Sequence, residues 1–155
     1  MRVHLGSDHA GFELKAHLRD VLTRQGHDVV DVGPAQYDPD DAYPPYCIAT
    51  ALATVAEPGS LGVVIGGSGN GEQIAANEVP GVRAALCWNT EIAALARQHN
   101  DAQVAAVGAR MHTADEATEI VTTFLATAFE GGRHQERIDM LDEYERTHEP
   151  PALPE

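Results

Sequence analysis

Five short apolar runs, each followed by a stretch of helical spacing, organise this 155-residue chain. The expected strands are Arg2–Leu5, Asp28–Val32, Leu61–Ile65, Arg83–Cys87 and Gln103–Val107. Ala10–Arg24 carries Leu14, Leu18, Val21 and Leu22 on one helical face. Further helices are expected at Tyr46–Ala56, Glu72–Ala76, Thr90–Gln98, Ala114–Ala128 and Gly132–Arg146, with Thr90 and Thr113 as N-caps. Strands that alternate with helices point to an α/β protein with a parallel sheet. The length suits one domain, expected over residues 1–147, followed by an acidic, proline-rich tail, 148–155. That tail ends in EPPALPE and is expected to be disordered or draped on a neighbour.

Composition excludes several classes. A hydrophobic fraction of 43% fits a globular core, and no apolar run approaches the ~20 residues of a membrane helix. The opening MRVHLGSDH reads as a first strand, not a signal peptide, so a cytoplasmic protein is expected. The formal charge is −14, from 24 acidic and 10 basic residues, which disfavours nucleic-acid partners. Lys15 is the single lysine, so an anionic ligand would need a local cluster of arginines. Cys47 and Cys87 sit within core-like patterns and are expected to be buried small hydrophobes in a reducing compartment. The segment Gly33–Pro45, GPAQYDPDDAYPP, reads as a long irregular loop, functional or interfacial. Its DPDD stretch lacks the glycine and glutamate of a calcium loop and is expected to be solvated.

In open parallel sheets, ligands bind beyond the carboxyl ends of the strands. The segments there are Gly6–His9, Gly66–Glu72 and Gly108–His112. The second reads GGSGNGE, with four glycines in six residues followed by a carboxylate. It fails the dinucleotide fingerprint, because the third glycine would fall at Glu72. It fails the triphosphate loop, because Glu72 and Gln73 stand where Lys and Ser or Thr belong. A small transient anion suits it better. Backbone N–H groups could hold an enediolate oxygen while Glu72 removes a proton α to a carbonyl. The other reading is a tight strand-to-helix turn whose Glu72 complements the helix dipole.

The stretch GGRHQERIDML places Arg133 and Arg137 four apart on one helical face. Like charges there repel unless an anion lies between them, so a phosphate is the expected ligand. Arg110 and His9 are candidates to join them. His99 and Asn100 precede the fifth strand, at the opposite end of the sheet from the glycine loop.

The segments GSDHAGFELK, GGSGNGEQIAAN, ARQHNDAQVAAVGARM and RHQERIDML, in this order, resemble the type B ribose-5-phosphate isomerases, in the wider ribose and galactose phosphate isomerase family. The resemblance runs through residues 1 to 147. It implies a Rossmann-like three-layer α/β/α sandwich with a five-stranded parallel sheet and a C-terminal helix. It implies interconversion of ribose 5-phosphate and ribulose 5-phosphate, with no metal or other cofactor. It also implies a homodimer, in some members paired into a tetramer, whose active sites use residues of both subunits. Many relatives have a cysteine base where this chain has Ser68, and a serine hydroxyl is too weak a base unaided. The resemblance is therefore to the branch in which Glu72 is the base and Ser68 assists. Gly67, Gly69, Asn70 and Gly71 would form the anion hole, and Asn100 would bind the enediolate or a hydroxyl. His99 would open the sugar ring, aided by Asp8, and His9, Arg110, Arg133 and Arg137 would grip the phosphate. Alternatives are a six-carbon sugar phosphate (allose 6-phosphate or galactose 6-phosphate), a non-catalytic phosphate- or nucleotide-binding module, and a metal-dependent isomerase using some of the eight histidines.

Overall fold

The computed structural model describes residues 1–153. Its elements run β1 (Arg2–Ser7), α1 (Phe12–Arg24), β2 (Asp28–Gly33), α2 (Tyr43–Ala56), β3 (Leu61–Gly66), α3 (Asn70–Asn77), β4 (Ala84–Leu86), α4 (Thr90–Asn100), β5 (Val104–Gly108), α5 (Ala114–Ala126) and α6 (Arg133–Thr147). The strands form one parallel sheet in the order β2-β1-β3-β5-β4. Pro154 and Glu155, the end of the tail discussed above, lie outside the described residues.

Strand alternation sorts the core into two layers. Val3, Leu5, Val63, Ile65, Ala105 and Val107 face one side and meet Leu14, Leu18 and Leu22 of α1, Ala93 of α4 and Phe124 of α5. Val64, Val104 and Ala106 face the other and meet Cys47 and Ala51 of α2 and Ala75 and Ala76 of α3. This is the expected α/β/α sandwich. β3 is buried along its whole length, which explains its unbroken apolar run. Each fully buried Val, Leu or Ile there contributes roughly 1.5–3 kcal/mol.

Element boundaries depart from expectation where local chemistry competes. Helix one does not begin at Ala10. His9–Gly11 form a 3-10 turn, capped by the Asp8 carboxylate, which accepts from the Ala10 and Gly11 N–H groups at 2.9 and 3.2 Å. α2 begins at Tyr43, so Pro44 and Pro45 are helical and not part of the loop. Proline is tolerated there because first-turn N–H groups lack partners anyway. Thr90 is the first residue of α4, and its cap is Asn89, whose side chain accepts from the Ile92 N–H at 2.7 Å. β4 is trimmed to three residues.

Thr113 caps α5 as expected, in a reciprocal box with Glu116. Thr113→Ala should lower the stability of the fold by about 1 kcal/mol in urea denaturation. An unchanged midpoint would show that the box adds nothing to the stability of the folded chain.

Candidate active site

The sheet brings the ends of β1, β3 and β5 to one edge. Gly66 pairs with Gly108 at the last rung of the β3–β5 ladder. Hydrogen bonding continues past it. The Ala109 N–H donates to the Gly66 carbonyl at 2.7 Å, and the Arg110 N–H to the Gly67 carbonyl at 3.1 Å. The glycine-rich loop is thereby stitched to the β5 loop. It turns into α3 through Gly69, at φ 85°, a conformation that favours glycine.

Glu72, in the first turn of α3, folds back under the end of β3 and is 4% exposed. A Cβ on Gly66 would lie 1.8 Å from its Oε1, so only glycine leaves room for the carboxylate. Burial pushes the Glu72 pKa above the ordinary carboxylate range. The charge of nearby Asp8 adds to the rise, while the backbone N–H groups of Glu72 itself and Gly69 oppose it. Asp8 is itself buried. Cys47, on α2, lies near both carboxylates, and burial first and then their charges push its thiol far above the physiological range. Burial pushes Cys87 up to about 12. Both cysteines are fully buried, as small hydrophobes.

Ser68 is exposed at the loop tip, and its Oγ accepts from the Asn70 backbone and side-chain N–H groups, each at 3.3 Å. Ser68 and Asn70 line a cavity of about 290 Å³ with Trp88, Met111 and His112. Tyr43 lies over the loop, with its Cζ 2.7 Å from where a Cβ on Gly71 would sit. Arg110 extends over Gly67. His9 sits beside Asp8, and its Nδ1 is 2.9 Å from the Asp41 carboxylate. Asp41 also accepts from the His9 backbone N–H at 2.8 Å. Its hydrogen bond raises the pKa of His9 above the ordinary imidazole value, and Asp8 adds to the rise while desolvation opposes it.

The remaining expected residues lie elsewhere. His99 and Asn100 end α4, at the edge where β5 begins. Strand β5 separates them from the glycine loop, on the order of 15 Å along the sheet. The His99 ring stacks on that of His134, with centroids 4.2 Å apart and planes 7° from parallel. Their Nε2 atoms lie 4.0 and 3.8 Å from Glu130. Burial first, then the charges of His99, Arg133 and Arg137, lowers the pKa of His134. Arg133 and Arg137 flank His134 and are exposed. One chain therefore groups Asp8, His9, Gly67, Ser68, Gly69, Asn70, Gly71, Glu72 and Arg110 at one edge. It groups His99, Asn100, Arg133 and Arg137 at the other. The four expected phosphate ligands do not meet within a single chain.

Among the described residues, Arg2, Arg19, Arg83, Arg97 and Arg146 form ion pairs. Arg24, Arg110, Arg133 and Arg137 form none, and three of these four are the arginines singled out for phosphate. Among the described residues, two side-chain groups present donor atoms close enough together for a cation: His99, Glu130 and His134, and Asp8, His9 and Asp41. In the first the two imidazole rings stack face to face in nearly parallel planes. In the second, Asp8 caps the 3-10 turn and Asp41 is bound to His9. Sequence reasoning passed over three neighbours of the expected residues: Tyr43, Asp41 and His134. Asp41 lay in a loop flagged for its length, but nothing local named its partner. His134 stands between the two arginines of RHQER.

Comparison with known proteins places this geometry in context. A family model described as Ribose/Galactose Isomerase matches residues 3–141. A ribose-5-phosphate isomerase B of Mycobacterium tuberculosis is 59% identical over 155 residues, covering 99% of this chain and 96% of the relative. That of Escherichia coli K12 is 38% identical, covering 94% and 97%. Among solved structures, ribose-5-phosphate isomerase B of Mycoplasma genitalium with bound ribulose-5-phosphate superposes with a TM-score of 0.90 at 41% identity, covering 94% of this chain and 97% of that one. The Clostridium thermocellum protein gives 0.92 at 40%, covering 96% and 100%.

The burial of Glu72 has a thermodynamic consequence. A carboxyl whose folded pKa is raised binds its proton more tightly in the folded state. It costs nothing below its unfolded pKa; the cost builds as pH rises from there through its folded pKa and is constant above it. Glu72→Gln should therefore stabilise the protein against urea at pH 7 to 8, and the gain should vanish near pH 4. A gain independent of pH would assign it to packing instead of charge burial.

Proposed function

The chain belongs to the ribose/galactose isomerase family, and from that premise we propose that it interconverts D-ribose 5-phosphate and D-ribulose 5-phosphate through a cis-enediolate, with Glu72 as general base. The observation that carries the chemistry is the buried Glu72 carboxylate, its pKa raised, at the foot of a glycine loop stitched to β5. A base must be ionised to act, yet basic enough to take a carbon-bound proton. Raising the carboxylate's proton affinity toward neutral pH serves both.

The steps follow from this placement. His99 and Asp8 move the protons that open the furanose ring. Glu72 removes the proton from C2 of the aldose, and the electron pair forms the C1–C2 double bond of the enediolate. Backbone N–H groups of Gly69, Asn70 and Gly71, with Gly67 leaving space for close approach, stabilise the developing oxyanion. Ser68, hydrogen-bonded to Asn70, holds O1 and O2 during proton exchange. Protonated Glu72 then returns the proton to C1. Asn100 binds a hydroxyl of the intermediate. His9, Arg110, Arg133 and Arg137 hold the phosphate, whose binding energy orients the reacting end. The reaction proceeds through these side chains alone, without a metal or cofactor.

The working unit is a homodimer in which His99, Asn100, Arg133 and Arg137 of one protomer complete the glycine-loop site of the other; pairs of dimers would make a tetramer. Support comes from the two edges that divide the residues and from the arginines that form no ion pair among the described residues. The proposed setting is the cytoplasm, in the non-oxidative pentose phosphate pathway. Among the described residues no helix is long and apolar enough to cross a membrane.

Glu72→Gln should lower kcat on ribose 5-phosphate by roughly 10²–10⁴-fold, the usual worth of a general base, with the fold intact. Turnover near that of the parent would overturn the assignment. Activity should be unaffected by EDTA; a loss restored by a divalent ion would require a metal mechanism. Arg137→Ala, at an exposed position, should raise KM by about tenfold with a smaller effect on kcat. An unchanged KM would put the phosphate elsewhere.

A further inference from the structure

The acidic loop between β2 and α2 takes no part in the steps above, yet it is tied down at both ends. The Lys15 ammonium, 2% exposed, donates to the Asp31 carboxylate and to the Pro34 carbonyl, the latter at 2.8 Å. The Tyr37 ring packs edge-on to Phe12, with centroids 5.8 Å apart. The far end is Asp41, whose side chain is 7% exposed and whose Oδ1 accepts from His9 twice, from the backbone N–H and at Nδ1. The α1 residues that anchor the loop, Phe12 and Lys15, follow His9 by three and six positions. One stretch of chain therefore carries His9 and also fixes the loop that returns to it.

We infer that Asp41 is a positioning residue of the sugar-phosphate site, fixing the His9 imidazole with Nδ1 turned inward and Nε2 presented to the phosphate. This rests on the proposed function, in which His9 is a phosphate ligand. Oδ2 of Asp41 is buried and makes no well-formed hydrogen bond among the described residues, although the Tyr46 phenol is near the carboxylate. A plain loop tether would not need an ionised group there, since burying a half-partnered carboxylate is costly. The cost falls when a cation stands beside it, and the His9 imidazolium is that cation. The groups facing the pair are Asp8, next to His9, and Tyr46 of α2 and Asp38, both on the Asp41 side. Burial, then the charge of Asp41 and the hydrogen-bonding proximity of its side chain, push the Tyr46 phenol above its ordinary pKa, so Tyr46 stays neutral. The raised pKa of His9 agrees with this arrangement. An imidazolium with Nδ1–H committed to a carboxylate gives Nε2–H to a phosphate oxygen as a charge-assisted donor.

The test is Asp41→Asn, which keeps an oxygen for the His9 N–H and removes the charge. The KM for ribose 5-phosphate and the Ki for inorganic phosphate should each rise about tenfold, with kcat changed less than about threefold. The alkaline fall of kcat/KM should begin at lower pH, because His9 loses the partner that holds its proton. In a His9→Gln background, Asp41→Asn should add nothing. Unchanged KM and phosphate Ki, or an equal effect in the His9→Gln background, would overturn the inference. If Asp41→Asn fails to fold, an NMR titration of His9 in the parent protein decides. A midpoint above the ordinary imidazole value supports the pairing, and one at or below it refutes it. A parent protein with no isomerase activity would refute the proposed function instead, and the NMR titration would still report on the Asp41–His9 contact.

Discussion

A carboxylate held out of water at the end of a parallel strand is the constraint around which this molecule is arranged. Burying Glu72 requires space that only a glycine at position 66 leaves, and a turn that Gly69 makes at positive φ. It also requires rigidity. The β3 loop obtains it from the hydrogen bonds that run on past the strands to Ala109 and Arg110. Without that stitching, a loop so rich in glycine would sample many conformations, and the cost of ordering it would fall on each binding event. The same packing brings Asp8 near Glu72, so two carboxylates share one poorly solvated corner. Such corners disfavour the charged state and are kept where chemistry uses the raised proton affinity.

The parallel sheet both gathers and divides the residues of the proposed site. Because every strand runs the same way, every helix returns the chain to the far edge before the next strand begins. Residues that end a strand therefore collect at one edge, and residues that end a helix at the other. Glu72, His9 and Arg110 follow strands; His99 ends a helix, and Arg133 and Arg137 follow one. No side-chain rearrangement spans that distance, which is why the proposed site joins the two sets across the proposed dimer.

The fold was legible wherever side-chain periodicity dominates. The unbroken run of β3 and the Leu14, Leu18 and Leu22 stripe of α1 left little choice, and the sheet follows from their alternation. Legibility failed where two local signals compete. Asn89 and Thr90 are adjacent capping types, and the geometry of the turn selects the asparagine. Pro44 and Pro45 signal a loop in most settings, yet suit a first helical turn equally well. At the candidate site, the placement of Glu72 was legible because glycine spacing that excludes phosphate cradles leaves an unusual carboxylate to explain, and the fold buries it at the sheet edge. Asp41 was not, because its contact with His9 spans 32 positions and depends on the path of an irregular loop. His134 escaped for a similar reason: on helical spacing it belongs to the buried side of α6, and its stacking on His99 is a tertiary event.

Net charge gives these placements a common logic. A chain with a formal charge of −14 repels a sugar phosphate at long range, so attraction must be local and must outweigh the field. Most of its arginines are neutralised by neighbouring acids, and those ion pairs are largely exposed and energetically modest. The cations left without acidic partners are the ones free to meet an anion. Arg110 occupies one edge; Arg133 and Arg137 occupy the other, beside a His134 that burial and like charge keep neutral. His9 differs in kind, since the Asp41 carboxylate at its Nδ1 favours its charged form. In the proposed site an acidic residue thus favours a cation beside an anion, because a buried aspartate is better placed to sustain an imidazolium than to repel a phosphate lying beyond it.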